Sequence, residues 1–132
     1  MTYLLDTDTC VYALKQNVSV LGRLLAHRRS EIAVSVITEA ELRTGAAESS
    51  SPTKTRAKVE NFLRPLTLIA FTSEDAITYS QIRTKLERAG TPIGPLDTLI
   101  AAQALGRGFT LVSNNDREFR RVSGLLRDNW TD

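Results

Sequence analysis

Four acids far apart in the chain share a setting that would gather them on one side of a fold. Asp6 ends the apolar run Tyr3-Leu4-Leu5, and Asp116 follows Phe109-Thr110-Leu111-Val112 and the polar step Ser113-Asn114-Asn115. Glu41 and Asp97 fall near the starts of helical stretches. Apolar runs that stop abruptly at acids and hydroxyls read as buried strands delivering carboxylates at their carboxyl ends, where open α/β sheets bind ligands. Carboxylates that meet in a low-dielectric cleft repel one another, so convergence calls for a compensating cation. An all-oxygen set suits Mg²⁺ or Mn²⁺. Zinc does not fit, because His27 and Cys10 are the only residues of their kinds and cannot build a zinc cage. The same scarcity argues against a histidine-dependent triad, and His27, flanked by arginines, is expected in solvent. A carboxylate-held Mg²⁺ supports phosphodiester hydrolysis with no protein nucleophile. Ser113, Asn114 and Arg117 stand where they would orient water or phosphate.

The bulk of the sequence bounds what can surround those acids. A chain of 132 residues, 42% hydrophobic and 24% charged, is expected to form one domain over 1–132 with a core of its own. One cysteine permits no internal disulfide and suits a reducing compartment. No apolar run approaches the ~20 residues of a membrane span, and no secretory leader is expected ahead of the Tyr3 strand. A cytoplasmic protein is the expectation. Net charge is +2, from 17 Lys and Arg against 15 Asp and Glu. If several acids share one pocket, the remaining surface is more basic than that total, which suits a polyanionic partner. Arg28, Arg29, Arg117, Arg120 and Arg121 are the candidate phosphate contacts, each also readable as an ordinary surface charge.

The elements that must position the acids follow from apolar spacing. Thr9 to Gln16 reads as a first helix capped by Asp8 or Thr7, and Val18, Leu21, Leu24 and Leu25 mark a second. Ile32 to Val36 is a β-branched strand of the kind covered on both faces. Thr38 then suits an N-cap with Glu41 at capping-box spacing, a structural reading that competes with a functional one. Residues 48–55 read as a loop, Arg56–Leu63 as a helix, and Leu66–Ile69 as a strand. A helix from Glu74 to Arg88 is capped by Ser73, with Ala76, Ile77, Tyr79, Ile82 and Leu86 facing inward. After the stiff loop Gly90–Gly94, Pro95 opens a helix that carries Asp97 in its first turn. Phe109–Val112 is a strand, Arg117-Glu118-Phe119 begins a short helix, and Leu125 to Trp130 supplies an edge strand. Strands alternating with helices predict a three-layer α/β/α fold around a central, mostly parallel sheet of four to five strands. In such a sheet the strand ends and helix starts share one rim, so the topology permits Asp6, Glu41, Asp97 and Asp116 to converge.

Four stretches together, LLDTD, SVITEAELRTGA, GPLDTLIAAQA and LVSNNDREFRRV, resemble the motif blocks of PIN-domain ribonucleases, specifically VapC-type toxins of toxin–antitoxin pairs. The resemblance runs in order over essentially the whole chain. It implies a PIN-like fold and an Mg²⁺-dependent endoribonuclease whose metal-binding acids correspond to Asp6, Glu41 and Asp97. The fourth acid is assigned to Asp116, with Glu118 as a neighbour that shares or replaces it. Asp8 stands where relatives often carry Asn, and a helix cap is its expected role. The resemblance further implies a homodimer, an RNA substrate (often a tRNA anticodon stem-loop) cut in a groove between subunits, and a VapB-type antitoxin that blocks the site.

Two other readings compete. Asp6-Thr7-Asp8 at a strand end also resembles the nucleophile motif of haloacid-dehalogenase-like phosphatases, with Asp6 as nucleophile and Ser113 as the hydroxyl motif. That reading leaves Glu41 without a role and meets Cys10 where Thr or Val is usual. The other is a non-catalytic RNA- or partner-binding module on the same fold, whose mark would be a broken acidic set.

Overall fold

The computed structural model describes residues 1–132. In chain order its elements are β1 (Tyr3–Leu5), α1 (Thr7–Leu14), α2 (Val18–Ala26), a short 3₁₀ turn (Arg29–Glu31), β2 (Ile32–Ser35), α3 (Val36–Ala47) and α4 (Pro52–Leu63). They continue as β3 (Thr67–Ile69), α5 (Ser73–Arg88), α6 (Pro95–Arg107), β4 (Thr110–Val112), α7 (Asp116–Phe119) and β5 (Leu126–Asp128). The five strands form one wholly parallel sheet in the order β3-β2-β1-β4-β5. The chain leaves β1 in one direction to build β2 and β3, then returns to place β4 on the other side of β1. The switch point therefore lies between the carboxyl ends of β1 and β4, the crevice in which open α/β sheets bind ligands.

Alternation along the strands divides the core. Leu4, Ala33 and Leu111 pack beneath α5, α6 and α7 with Ile82, Leu86, Ile100 and Phe119. Leu5, Ile32, Val34 and Val112 face the other way, against α1 to α4 with Val20, Leu42, Val59 and Trp130. With both faces covered, β1, β2 and β4 carry almost no polar positions.

Several expected boundaries move, each for a local reason. The β2 strand ends at Ser35, whose hydroxyl accepts from the Ile37 amide at 3.0 Å and starts α3 at once. The β-branched run Val36-Ile37-Thr38 therefore begins a helix, where its amides need no intrahelical partner. Thr38 is a buried residue inside that helix rather than its cap, and the capping-box reading of Glu41 falls with it. The 48–55 loop shrinks because Pro52 opens α4 at a position where its missing amide costs nothing. Thr72, not Ser73, caps α5, in a reciprocal box with Asp75. On α5, Ile82 and Leu86 are buried but Ile77 is exposed. His27 is half-buried, not free in solvent: its ring stacks on Trp130 at 5.2 Å and lies 4.5 Å from Tyr3. No helix is long and apolar enough to cross a membrane.

Candidate active site at the sheet switch point

Asp6 is drawn into the molecule by the two fully buried leucines before it, and only 2% of it is exposed. It is also the cap of α1, taking the place expected for Asp8 or Thr7: Oδ1 accepts from the Thr9 amide at 2.8 Å. The Asp6 amide donates to the Val112 carbonyl at 3.0 Å, and the Thr9 hydroxyl donates to the same oxygen at 3.0 Å. The start of α1 is thereby locked to the end of β4. Burial raises the Asp6 carboxyl above its ordinary range, against hydrogen bonds from Ser113 and Thr9 that pull it down. Beneath it, burial and the Asp6 charge push the Cys10 thiol well up, which makes it a poor nucleophile. Asp8, next along, is exposed in the first turn of α1.

Glu41 comes from the second turn of α3 and is half-buried. The Thr7 hydroxyl donates to its Oε1 at 2.6 Å and lies 3.1 Å from the Thr38 hydroxyl. This contact joins the residue after Asp6 to the acid of the second motif. The sequence pointed to Thr7 only as a cap; its place directly after the strand acid was the one available signal. Asp97 sits in the first turn of α6, behind Gly94 and Pro95. Its carboxyl is pushed up to about 6 by burial, then by the charges of Asp6, Glu118, Asp8 and Glu41 in that order. Acids from four separate segments thus share one field across the switch point. They face one another without closing into a cage: no three His, Cys, Asp or Glu side chains come together as ready ligands.

The fourth strand end divides its polar residues. Asp116 points away to β5, where its Oδ1 lies 2.7 Å from Arg127 Nη1. Glu118, half-buried on the same short helix, is the acid whose charge reaches Asp97. Of the two candidates for the fourth acid, Asp116 is engaged with β5 and Glu118 is the one that influences Asp97. Ser113 is buried against Asp6 and also accepts from the Asn115 amide at 2.9 Å. Asn114 donates to the Tyr12 hydroxyl at 2.9 Å, and Arg117 is exposed. Arg121 is tied to the Pro92 carbonyl. Arg28 and Arg29 immediately precede β2, which puts them at the amino edge of a parallel sheet, opposite the acids. They are not contacts for a phosphate at this site.

The donors on this rim are carboxylates and hydroxyls, and the proximity of like charges raises the cost of keeping them all ionised. Both features match a hard divalent cation. A phosphatase using Asp6 and Asp8 would leave Glu41 idle, whereas here Glu41 is held to the residue between those two acids.

The sequence model of the PIN domain matches residues 3–125. The chain is 37% identical over 130 residues to the tRNA(fMet)-specific endonuclease VapC of Salmonella typhimurium, with 98% of each chain covered. It is 39% identical over 132 residues to ribonuclease VapC2 of Rickettsia felis, again with 98% of each covered. Among solved structures, VapBC2 from Rickettsia felis bound to a DNA fragment from their promoter aligns with a TM-score of 0.93 at 38% identity, over 98% of this chain and 99% of that one. DNA-bound VapBC from Salmonella typhimurium aligns at 0.94 and 37% identity, over 98% of both.

Proposed function

The chain belongs to the PIN-domain family, and on that premise we propose that it is an endoribonuclease acting as the toxin of a toxin–antitoxin pair. The observation that carries the assignment to this rim is the gathering of Asp6, Glu41, Asp97 and Glu118 at the switch point, where burial first and the neighbouring charges second lift the Asp97 carboxyl to about 6. In the mechanism we propose, Asp6, Asp97 and Glu41 hold Mg²⁺ or Mn²⁺, with Glu118 completing the acidic set. When bound, such an ion offsets charge on the phosphodiester and lowers the pKa of an attacking water. The chain's own contribution is positioning. The Thr9 amide and Ser113 hold one carboxylate at the β1 end, and the Thr7 hydroxyl holds Glu41 facing it. Burial keeps Asp6 poorly hydrated, which favours its pairing with a cation.

A relative at 37% identity carries the name of a tRNA(fMet)-specific endonuclease, so initiator tRNA is the first substrate to test. Relatives crystallised as VapBC complexes support a VapB-type antitoxin partner and a toxin homodimer. An RNA substrate and a single buried thiol support action in the cytoplasm.

The test is cleavage of total tRNA by the purified protein, with and without EDTA. Cleavage that needs added Mg²⁺ or Mn²⁺, and that Asp6→Asn and Asp97→Asn abolish, is the expected result. Cleavage that survives EDTA would remove the metal from the mechanism. Failure to cut any RNA in any divalent ion would overturn the ribonuclease assignment.

A further inference from the structure

A groove of about 340 Å³ opens directly off the acidic rim between α1, α3 and α4. The buried side chains Leu42 and Val59 form its floor, Glu41 closes the end toward the acids, and the exposed Lys15 and Lys58 stand along its edge. Neither ammonium takes part in an ion pair. Gly45 also lines it, and Gly45 is the anomaly. It sits inside α3, where glycine is the poorest helix former after proline. A Cβ added there would meet no atom of the chain within 4 Å, so packing does not demand the missing side chain. Its bare backbone lines the groove about one turn from Glu41.

We propose that this groove is the subsite for RNA nucleotides flanking the scissile phosphate, an inference that rests on the ribonuclease reading above. A base lies on the Leu42–Val59 floor against the bare backbone of Gly45, and Lys15 and Lys58 hold neighbouring phosphates. Three features converge on that occupant. The groove runs up to Glu41 and Thr7 at the edge of the acidic rim, so it lies in the path of a chain joined to the reacting phosphate. Its free cations suit a phosphodiester chain, whose binding is dominated by neutralised phosphates. Its aliphatic floor of Leu42 and Val59 offers apolar contact to the face of a base. A peptide segment would use the floor but gives no comparable reason for two unpaired ammonium groups beside it.

The decisive variants are Gly45→Leu, which fills the groove with a better helix former, and Lys15→Ala/Lys58→Ala. Thermal melting and Mn²⁺ titration are run on each to separate groove effects from folding and from the acids. Gly45→Leu is expected to raise KM for a labelled tRNA at least tenfold, with kcat within threefold and Mn²⁺ affinity unchanged. For the double lysine variant, binding to a single-stranded RNA oligonucleotide is followed in an Asp97→Asn background that does not cut. Its slope of log K against log salt is expected to fall by about 1.4, since each phosphate that a lysine neutralises on a single strand adds about 0.7. If the wild type cuts RNA while KM and the salt slope are unchanged in these variants, the groove inference is wrong and the ribonuclease reading survives. If the wild type cuts no RNA, both fall. Loss of antitoxin affinity in Gly45→Leu with KM untouched would make the groove a protein-docking site and overturn the proposal. Should Gly45→Leu fail to fold, the lysine variant decides alone.

Discussion

Asp97→Asn should stabilise the metal-free protein at neutral pH while removing its activity. In the folded chain the Asp97 carboxyl stands at about 6 against an ordinary 3.8, first because it is buried and then because Asp6, Glu118, Asp8 and Glu41 face it. A carboxyl raised on folding favours the folded state most when protonated. Its contribution is fully present below pH 3.8 and is lost as pH rises through about 6. About two units at 1.36 kcal/mol each set a ceiling of roughly 3 kcal/mol. Asp97 is only half-buried, so solvent screening reduces this to about 1–2 kcal/mol. Asparagine also gives up a favourable acid in the first turn of α6, a loss of about 0.3–1 kcal/mol. The net gain is about 1 kcal/mol, or roughly 3–5 °C in melting temperature for a domain of this size. Melting both proteins in EDTA between pH 5 and 8 reads the difference directly. The variant should melt higher at pH 8, the gap should close as pH falls through 6, and Mg²⁺ should raise the wild type more than the variant. A variant that melts at or below wild type at pH 8 in EDTA would refute the cost of keeping Asp97 ionised on this rim, which burial and the neighbouring acids together impose.

Other perturbations separate the roles of neighbouring residues. Glu118→Gln should lower kcat at least a hundredfold and weaken Mn²⁺ binding, whereas Asp116→Asn, which cuts the pair with Arg127, should leave kcat within about fivefold; equal losses would restore Asp116 to the acidic set. Thr7→Val removes the 2.6 Å hydrogen bond to Glu41 and should weaken Mn²⁺ binding by about 10–100-fold, the usual cost of removing a partner behind a metal ligand. Thr7→Ser should restore it, and failure to do so would make the effect steric. Far from the site, burial alone would raise the Asp75 carboxyl, but hydrogen bonds from Arg107 and Thr72 and the Arg107 charge hold it below the usual range. Its stabilisation is therefore present at neutral pH and lost as pH falls. Asp75→Ala strands the Arg107 guanidinium and should cost about 3 kcal/mol in urea unfolding at pH 7; a loss under about 1 kcal/mol would show that solvent already satisfies Arg107.

The layered parallel fold was legible because its strands are buried on both faces and so read as short apolar runs ending in polar clusters. The boundaries were less so, and the failures share a cause. Ser35, Asp6 and Thr72 each cap a helix that begins immediately after a strand or turn. In each case the sequence offered a second hydroxyl or acid one to three residues on: Thr38, Thr7 or Asp8, and Ser73. Local capping chemistry cannot choose between such neighbours; the choice is made by where the strand must stop to stay in register with its partners. The aromatic stack of His27 on Trp130 was hidden for a similar reason, since it joins residues from opposite ends of the chain.

The fourth acid shows most clearly what spacing leaves open. Asp116 and Glu118 are two apart on one short helix, about 200° around its axis, so when one faces the rim the other faces away. Either phase places a carboxylate at the site, and the motif alone is satisfied by both. The phase is fixed by the residue that follows them, Phe119, which is buried in the core with Ile82, Leu86 and Ile100; Asp116 is left on the outer side, beside Arg127 of β5. With Phe119 buried, Glu118 falls on the side from which its charge reaches Asp97. The burial of one phenylalanine, which the spacing of the two acids does not reveal, thereby sets which carboxylate is turned toward Asp97. Arg127→Ala removes the ion pair without touching either acid or Phe119. Like Asp116→Asn, it should leave kcat within about fivefold and Mn²⁺ affinity unchanged; a large loss of both would show that the pair with Arg127 orients the helix.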